Sequence, residues 1–255
     1  MLVSTTLAER VAALGKWYHR IDLGGGVVTP GTRDQGITFG IYQRFLPAQL
    51  TGLRVLDLGA NACGLSVEFA RRGASVLAVE NGAGYVQQAK LVLSELGLSE
   101  KVEIQQADLF DSLQFGEFDI VCYVGLSYHI RYPQLALDML GWVLKPDGHL
   151  LASTQTVAGD SLILVNRASR YPRERGELYG WEPTETLFTD MLMQAGFNNV
   201  ACVSTSPHPG ETKGIIAGNR SYFHATGGRR VPLPFISKRI NTKSQTAATH
   251  RRAQP

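Results

Sequence analysis

Residues 53–72 constrain the fold most, because they have the pattern of a buried strand, a turn of small residues and the start of a helix. The apolar run Val55–Leu58 is typical of a strand buried in a parallel sheet. Gly59 ends the strand, and helical spacing of apolar residues begins after Gly64. The N-terminus of a helix, with unpaired N–H groups and a positive dipole end, therefore faces the turn, as in nucleotide-binding units. Close packing of the helix on the sheet would also explain the small residues.

Acidic residues follow the next two predicted strands. The strand over residues 74–79 leads into Glu80, 21 positions after Gly59 and near the ~20-residue offset at which a carboxylate binds ribose hydroxyls. The strand over residues 102–107 leads into Asp108 and the apolar Leu109. This pair suits the exocyclic amine and the face of an adenine ring, although Asp108 could instead cap the following turn.

The residues that we expect to contact a nucleotide-containing cofactor lie at the ends of the first four predicted strands or in the turn after the first. They are Asp57, Gly59, Ala60, Asn61, Gly64, Glu80, Asn81, Asp108, Leu109, Val124 and Gly125.

The fourth predicted strand, residues 118–124, leads into a polar segment over residues 125–133. Ligands in open α/β sheets bind beyond the carboxyl ends of the strands. Tyr128, His129 and Arg131 would bring a phenol, an imidazole and a fixed cation to that edge. Because an ordinary connection needs none of these groups, we predict a catalytic role for them, with local hydrogen bonding as the alternative.

The remaining patterns predict an α/β fold with a mixed, mostly parallel seven-stranded sheet and helices on both faces. Residues 2–19 and 135–144 have helical spacing, residues 149–154 make a fifth strand, and residues 197–205 and 213–225 form an antiparallel pair. We divide the chain into an N-terminal helix with a lead-in loop (1–48), a main domain (49–225) and a basic, flexible tail (226–255). An aromatic and basic insertion at about 156–182 is expected to form a substrate lid.

Aromatic and basic side chains in the lead-in loop and in the insertion are candidates for contact with a substrate. They are Trp17, Tyr18, His19, Arg167, Tyr179 and Trp181. The alternative for Trp17 and Tyr18 is that they seal the core against the first helix.

Composition limits the classes of protein further. No apolar run approaches the ~18 residues of a membrane span, and no signal peptide is recognisable, so we expect a cytoplasmic protein without membrane contact. The three cysteines are widely spaced, which favours free thiols over disulfides or a metal site. The net charge of +3 is small, and its excess lies after Gly228, in a tail that is either solvated or in contact with nucleic acid. The oligomeric state stays open.

Together, residues 55–64, Glu80, Asp108 and the Pro146–Gly148 turn resemble the successive motifs of class I S-adenosylmethionine-dependent methyltransferases. The resemblance extends over residues 50–225 and implies a Rossmann-like methyltransferase fold with S-adenosylmethionine as cofactor. Residues 125–133 resemble the Tyr-His-x-Arg-x-Pro segment of the tRNA wobble-uridine carboxymethyltransferases, and the Trp-Tyr-His and Trp-Glu-Pro-Thr sequences at 17–19 and 181–184 are similar to that subgroup too.

Two departures from the family pattern matter. Asn61 and Cys63 stand where glycines are usual, with Gly64 shifted by one place. The carboxymethyltransferases also hold a carboxylated cofactor with a lysine upstream of the first motif, whereas this chain has no lysine between residues 16 and 90. The resemblance therefore implies ordinary S-adenosylmethionine rather than the carboxylated form, unless Arg33 or Arg44 replaces the lysine.

We therefore expect a methyltransferase acting on a small molecule, with secondary metabolites among the acceptors to consider. His129 would act as base, Tyr128 would line the transfer channel, Arg131 would orient the acceptor and Trp181 would cover it. The alternatives are methylation or carboxymethylation of a tRNA wobble uridine, a non-catalytic binding module, and a nicotinamide-dependent oxidoreductase. The fingerprint of the last requires glycine where Asn61 stands.

Overall fold

A computed structural model describes residues 5–166, 180–207 and 218–233. Its main sheet has the strand order β3-β2-β1-β4-β5-β9-β8, and a small second sheet pairs β6 with β7. Neighbouring strands from β3 to β5 are parallel, whereas β9 runs antiparallel to both β5 and β8. The strands are β1 (Arg54–Leu58), β2 (Ser75–Glu80), β3 (Val102–Gln106), β4 (Phe118–Val124), β5 (Leu144–Val157), β6 (Leu164–Asn166), β7 (Trp181–Pro183), β8 (Asn198–Pro207) and β9 (Gly218–Thr226). The predicted seven-stranded, mostly parallel sheet is confirmed.

Helices cover both faces of the sheet, as the sequence predicts. The described α-helices are α1 (Leu7–Ala13), α2 (Gln35–Tyr42), α3 (Gly64–Arg71), α4 (Ala83–Glu95), α5 (Pro133–Val143) and α6 (Glu185–Gln194). Short 3-10 helices cover Gln43–Phe45, Leu109–Gln114 and Ser127–His129. Among these described helices, none is long and apolar enough to cross a membrane.

Two hydrophobic cores fix the helices on the sheet. One core joins α1 to α4 with the sheet face that carries Val55, Val76 and Ile120. The other joins α5 and α6 with the opposite face, which carries Leu56 and Val121. Alternate residues of one strand enter different cores, because successive side chains point to opposite faces of the sheet. A strand buried on both faces is therefore apolar at nearly every position.

The strand order reverses between β1 and β4, since β2 and β3 extend the sheet on one side of β1 while β4 and β5 extend it on the other. Such a reversal leaves a crevice beyond the carboxyl ends of the strands, which is where open α/β sheets bind ligands. The fold therefore places the predicted strand-end residues around one crevice.

Several boundaries differ from the sequence prediction. The first helix covers only Leu7–Ala13, since Thr6 and Glu9 form a capping box at its start and Gly15, at φ 75°, follows its end. Helix α2, capped by Asp34, was not predicted within the lead-in loop. Strand β5 runs from residue 144 to 157 and includes the predicted turn at 146–148.

The insertion and the tail also need correction where the structure describes them. The insertion contributes two short paired strands, β6 and β7. The tail packs on the domain as far as residue 233: Trp142 Nε1 donates to the Val231 carbonyl, Arg230 pairs with Glu117, and Leu233 is buried. The start of the strand expected over 213–225 and the part of the tail after residue 233 lie outside the described residues.

Candidate functional site

A cleft of about 710 Å³ lies beyond the carboxyl ends of β1 to β4. Most of the strand-end residues chosen from the sequence line it, as do four of the predicted catalytic and substrate-binding residues. They are Gly59, Asn61, Glu80, Asn81, Asp108, Leu109, Val124 and Gly125, together with Tyr18, His19, Tyr128 and His129. Asp57, Ala60 and Gly64 do not line the cleft.

Glu80 is fixed at the wall of the cleft by two backbone donors. Its Oε2 accepts from the Asn61 N–H at 2.9 Å, and its Oε1 accepts from the Gly82 N–H at 2.8 Å. Asn61 presents its N–H from a left-handed conformation at φ 50°. Each carboxylate oxygen retains a second lone-pair direction, so Glu80 can still accept hydrogen bonds from a ligand in the cleft.

Asp108 both lines the cleft and caps the following 3-10 helix. Its Oδ1 accepts from the Phe110 N–H at 3.0 Å, while its own N–H donates to Asp111 Oδ2 at 3.1 Å. The capping alternative raised by the sequence is therefore present in the structure. Since a carboxylate has about four lone-pair directions, Asp108 can cap the helix and still accept from a ligand.

Asp57 lies beneath the cleft rather than in it. It is buried and accepts from the Ser66 hydroxyl at 2.6 Å, which ties the end of β1 to α3. Burial raises the pKa of Asp57 to about 6, and the nearby charge of Glu80 adds to the rise. Asp57 thus supports the loop that carries the site, and its predicted direct contact with a cofactor does not agree with this position.

His19 joins the lead-in loop to the start of α3. Its Nδ1 accepts from the Gly64 N–H at 3.2 Å, and burial lowers the pKa of His19 to about 4, so the ring is neutral. The proton is then on Nε2, which lies 2.8 Å from the Gln35 side-chain amide. Turning the Gln35 amide by 180° brings its oxygen to this position, where it accepts from the His19 Nε2–H.

Gly64 makes this contact feasible. A Cβ at position 64 would lie 2.9 Å from His19 Nδ1 and 2.9 Å from Gln35 Cγ, which is too close for any side chain. The glycine predicted to bind the cofactor is therefore required for packing against His19.

Tyr128 and His129 lie together in the 3-10 helix after β4, with their ring centroids 4.3 Å apart. The Tyr128 hydroxyl accepts from Arg220 Nη2 at 2.9 Å. Burial raises the pKa of Tyr128, and the charge of Arg220 offsets part of the rise. The phenol therefore stays protonated at neutral pH.

Arg131 does not share this position. It is exposed, its guanidinium lies 5.6 Å from the centre of the Tyr132 ring, and it does not line the cleft. The structure therefore does not place Arg131 in the cleft, where we expected it to supply a cation. Arg220 and Arg33 bring the guanidinium groups that line the cleft.

Residues that sequence reasoning missed come from α2 and the antiparallel end of the sheet. They include Gln35, Thr38, Gln155, Arg220 and Tyr222. Alternation along β9 could have suggested that residues 220 and 222 share a face, but not that this face meets the cleft. Of the two arginines named as substitutes for the missing lysine, Arg33 lines the cleft, whereas Arg44 donates to the Val203 carbonyl outside it.

The predicted tryptophans do not line the cleft. Trp17 is buried and donates from Nε1 to the Val11 carbonyl at 2.9 Å, so it seals the core, as the alternative proposed. Trp181 begins β7 beside the 3-10 helix of Tyr128. Arg167 and Tyr179 lie outside the described residues.

The sheet order, the crevice at its reversal and the acidic residues at the carboxyl ends of β2 and β3 define a class I methyltransferase fold. A family model described as a methyltransferase domain matches residues 33–202, which is more than half of the chain. The chain therefore belongs to the methyltransferase-domain family. The resemblance to class I S-adenosylmethionine-dependent methyltransferases is confirmed, and S-adenosylmethionine is confirmed as cofactor at the level of this family.

Two curated relatives match in part. A ubiquinone biosynthesis O-methyltransferase of Xanthomonas euvesicatoria pv. vesicatoria is 33% identical over 119 residues, 46% of this chain and 50% of that protein. A tRNA U34 carboxymethyltransferase of Syntrophotalea carbinolica is 33% identical over 91 residues, 36% of this chain and 28% of that protein. The chain thus spans half or less of the length of these relatives.

A solved structure with the same fold is the N-terminal domain of EvdMO1 with S-adenosylhomocysteine bound. It superposes with a TM-score of 0.68 at 20% identity, covering 88% of this chain and 96% of that one.

Proposed function

We propose that this chain transfers a methyl group from S-adenosylmethionine to a small-molecule acceptor. The observation that carries the proposal is the carboxylate of Glu80, the last residue of β2, which two backbone N–H groups hold at the wall of the cleft. Asp108, on the loop after the neighbouring strand, lines the same cleft. This spacing suits the ribose and the adenine of one nucleoside.

The residues around the cleft fit such a cofactor. A volume of about 710 Å³ lies within the usual range for small-molecule sites, roughly 300–1,000 Å³. Leu109 and Val124 supply apolar surface beside the two carboxylates, as an aromatic base with polar edges requires. Gly59, at φ 69°, leaves room for Leu126, since a Cβ there would lie 3.1 Å from Leu126 Cδ1.

When bound, S-adenosylmethionine supplies a sulfonium methyl group that is electrophilic without further activation. The work left to the protein is to align the acceptor, exclude water and remove a proton where the acceptor carries one. We propose that His129, which lines the cleft beside Tyr128, removes this proton from the acceptor. Tyr128 is less suited to accept it, because burial raises the pKa of its phenol and the hydroxyl is already held by Arg220.

A second candidate is modification of RNA. It is favoured by the partial match to a tRNA U34 carboxymethyltransferase and by the similar segment around Tyr128 and His129. The partial match to the ubiquinone biosynthesis enzymes favours a small molecule instead. Mass spectrometry of metabolites and of RNA from cells with and without the protein distinguishes the two.

Calorimetry with S-adenosylhomocysteine tests the cofactor assignment. Glu80→Ala should weaken binding by about 1.5–3 kcal/mol, the range for hydrogen bonds to a charged group. Glu103→Gln, an exposed change on β3, is the matched control and should bind as the parent does.

Two results would count against the assignment. Unchanged affinity in a folded Glu80→Ala variant would remove Glu80 from the site. Saturable binding of NADH without binding of S-adenosylhomocysteine would point to the oxidoreductase instead.

A further inference from the structure

Arg220 brings a guanidinium group from β9 to the cleft. Its Nη2 donates to the Tyr128 hydroxyl at 2.9 Å, and the Tyr18 side chain also hydrogen-bonds to it. Its Nε is buried and has no hydrogen-bond partner in the described part of the chain. Two phenols therefore orient the group, and one of its buried donors stays unused.

Within the described ranges, the charge of Arg220 has no carboxylate to balance it. Among the described residues, no carboxylate lies within salt-bridge distance of it, and its polar neighbours Tyr18 and Tyr128 are phenols. A second guanidinium, that of Arg33, lines the same cleft and adds positive charge. Since a buried, unpaired charge is costly, an anion entering the cleft would be bound strongly.

The backbone makes room for this arrangement. A Cβ at Gly125 would lie 2.5 Å from Arg220 Nη2, so only glycine lets the guanidinium reach Tyr128. Gln155, the register partner of Arg220 on β5, also lines the cleft. The guanidinium thus occupies a position built by three separate segments of the chain.

The position of β9 in the sheet separates Arg220 from the ribose end of the site. Four strand spacings lie between β2, which ends in Glu80, and β9, and at roughly 4.8 Å each they place the two strands about 19 Å apart. Arg220 therefore lies away from the ribose end that we propose for the cleft, and the Tyr128 and His129 rings lie on its side through the Arg220–Tyr128 hydrogen bond and the contact between the two rings.

We propose that Arg220, oriented by Tyr128 and Tyr18, binds a carboxylate of the methyl acceptor, so that the acceptor is a small organic acid. The inference rests on the proposed methyltransferase function and names the substrate class of the same site. Arg220 is then the residue that selects acidic acceptors over neutral ones. A carboxylate at this place could also come from the cofactor, and the experiment separates the two sources.

The test uses benzoate and its neutral analogue benzamide as probes of protein saturated with S-adenosylhomocysteine, with affinities measured by titration in NMR. The parent should bind benzoate at least about tenfold more tightly than benzamide. This ratio is the lower end of the affinity difference expected from a hydrogen bond to a charged group. Arg220→Gln should lose this preference while its affinity for S-adenosylhomocysteine changes less than threefold. Arg131→Gln, the matched change of an exposed arginine outside the cleft, should keep it.

Three results would overturn the proposal. The first is equal binding of benzoate and benzamide by the parent. The second is a tenfold loss of S-adenosylhomocysteine affinity in Arg220→Gln, because Arg220 would then hold the carboxylate of the cofactor's own amino-acid part. The third is a tenfold preference for carboxylated S-adenosylmethionine over the ordinary form that disappears in Arg220→Gln.

Tyr128→Phe provides an independent measurement if Arg220→Gln does not fold. It removes one of the two phenols that orient the guanidinium and should reduce the preference for benzoate, whereas an unchanged preference contradicts the proposal. Failure of the parent to bind S-adenosylhomocysteine would refute the methyltransferase function, and the benzoate comparison on the free protein would still report on the anion site.

Discussion

The neutral state of His19 predicts a specific loss of stability in acid. Protonation would place an N–H on Nδ1 against the Gly64 N–H, at the positive end of the α3 dipole. Burial accordingly holds the pKa of His19 at about 4. The unfolded chain takes up this proton near pH 6.5, so the unfolded state gains protons first as the pH falls.

The sign and the size follow from the two pKa values. The contribution of His19 to stability is fully present above pH 6.5 and is lost as the pH falls through the folded value of about 4. At about 1.4 kcal/mol per pH unit, acidification over this range should lower the free energy of unfolding by roughly 3 kcal/mol. This free energy of unfolding is lost because protonation disrupts the contact between the lead-in loop and the start of α3.

Urea denaturation of the parent and of His19→Gln between pH 7.5 and 4.5 measures this loss. Glutamine retains an acceptor oxygen but does not titrate, so the difference between the two proteins isolates the imidazole from the other histidines. The parent should lose about 2.5 kcal/mol more than the variant over this interval. Parallel profiles for the two proteins would refute the reasoning, and so would an NMR titration of His19 with an ordinary midpoint.

Two further predictions concern Asp57 and His129. The folded-state pKa of Asp57, about 6, lies above its unfolded value, so the stabilising contribution of Asp57 is present below about pH 4 and is lost as the pH rises through 6. Between pH 7 and pH 4, denaturation should therefore show the free energy of unfolding of the parent rising by roughly 3 kcal/mol relative to that of Asp57→Asn. An unchanged difference between the two proteins would contradict the raised pKa of the buried Asp57 carboxyl. In steady-state assays, His129→Gln should lower turnover by ~10²–10⁴-fold and remove the rise of the rate with pH, while calorimetry finds the affinity for S-adenosylhomocysteine unchanged. Full turnover in that variant would mean that the acceptor needs no base from His129.

Most residues that we predict to contact the cofactor line the cleft, because the information that places them there is local. Glu80 is the last residue of β2 and Asp108 lies two residues after β3, and the carboxyl ends of parallel strands meet at one edge of a sheet. The position of each residue relative to its own strand was therefore sufficient. Helix α2 was missed although Asp34 is a readable N-cap, because Gly36 and Gly40 within it weaken the helical pattern.

The opposite side of the cleft depends on contacts between segments that are distant in sequence. Arg131 and Arg220 are equally plausible cations by residue type, and only the return of β9 beside β5 decides that Arg220 meets Tyr128. Similarly, Trp17 and Tyr18 are adjacent in sequence, yet Trp17 enters the core while Tyr18 lines the cleft. Neither outcome can be obtained from spacing alone.

The unusual first motif shows why its glycines have to be judged by backbone geometry. Asn61 and Cys63 stand where glycines are usual, and both adopt left-handed backbone conformations, at φ 50° and 60°. Asparagine tolerates this region comparatively well, and here its side chain also accepts from the Ala62 N–H at 2.9 Å. The turn can therefore keep a contour that presents the Asn61 N–H to Glu80 without glycine at either position.

Gly64 obeys a different requirement. Its φ is not in the left-handed region, and a side chain there would collide with His19. The shifted glycine thus belongs to the packing of the lead-in loop against α3, and its position depends on a histidine 45 residues earlier in the chain. The first motif therefore differs from the family pattern in its residues and still preserves the backbone geometry around Glu80. The proposed cofactor site depends on that geometry.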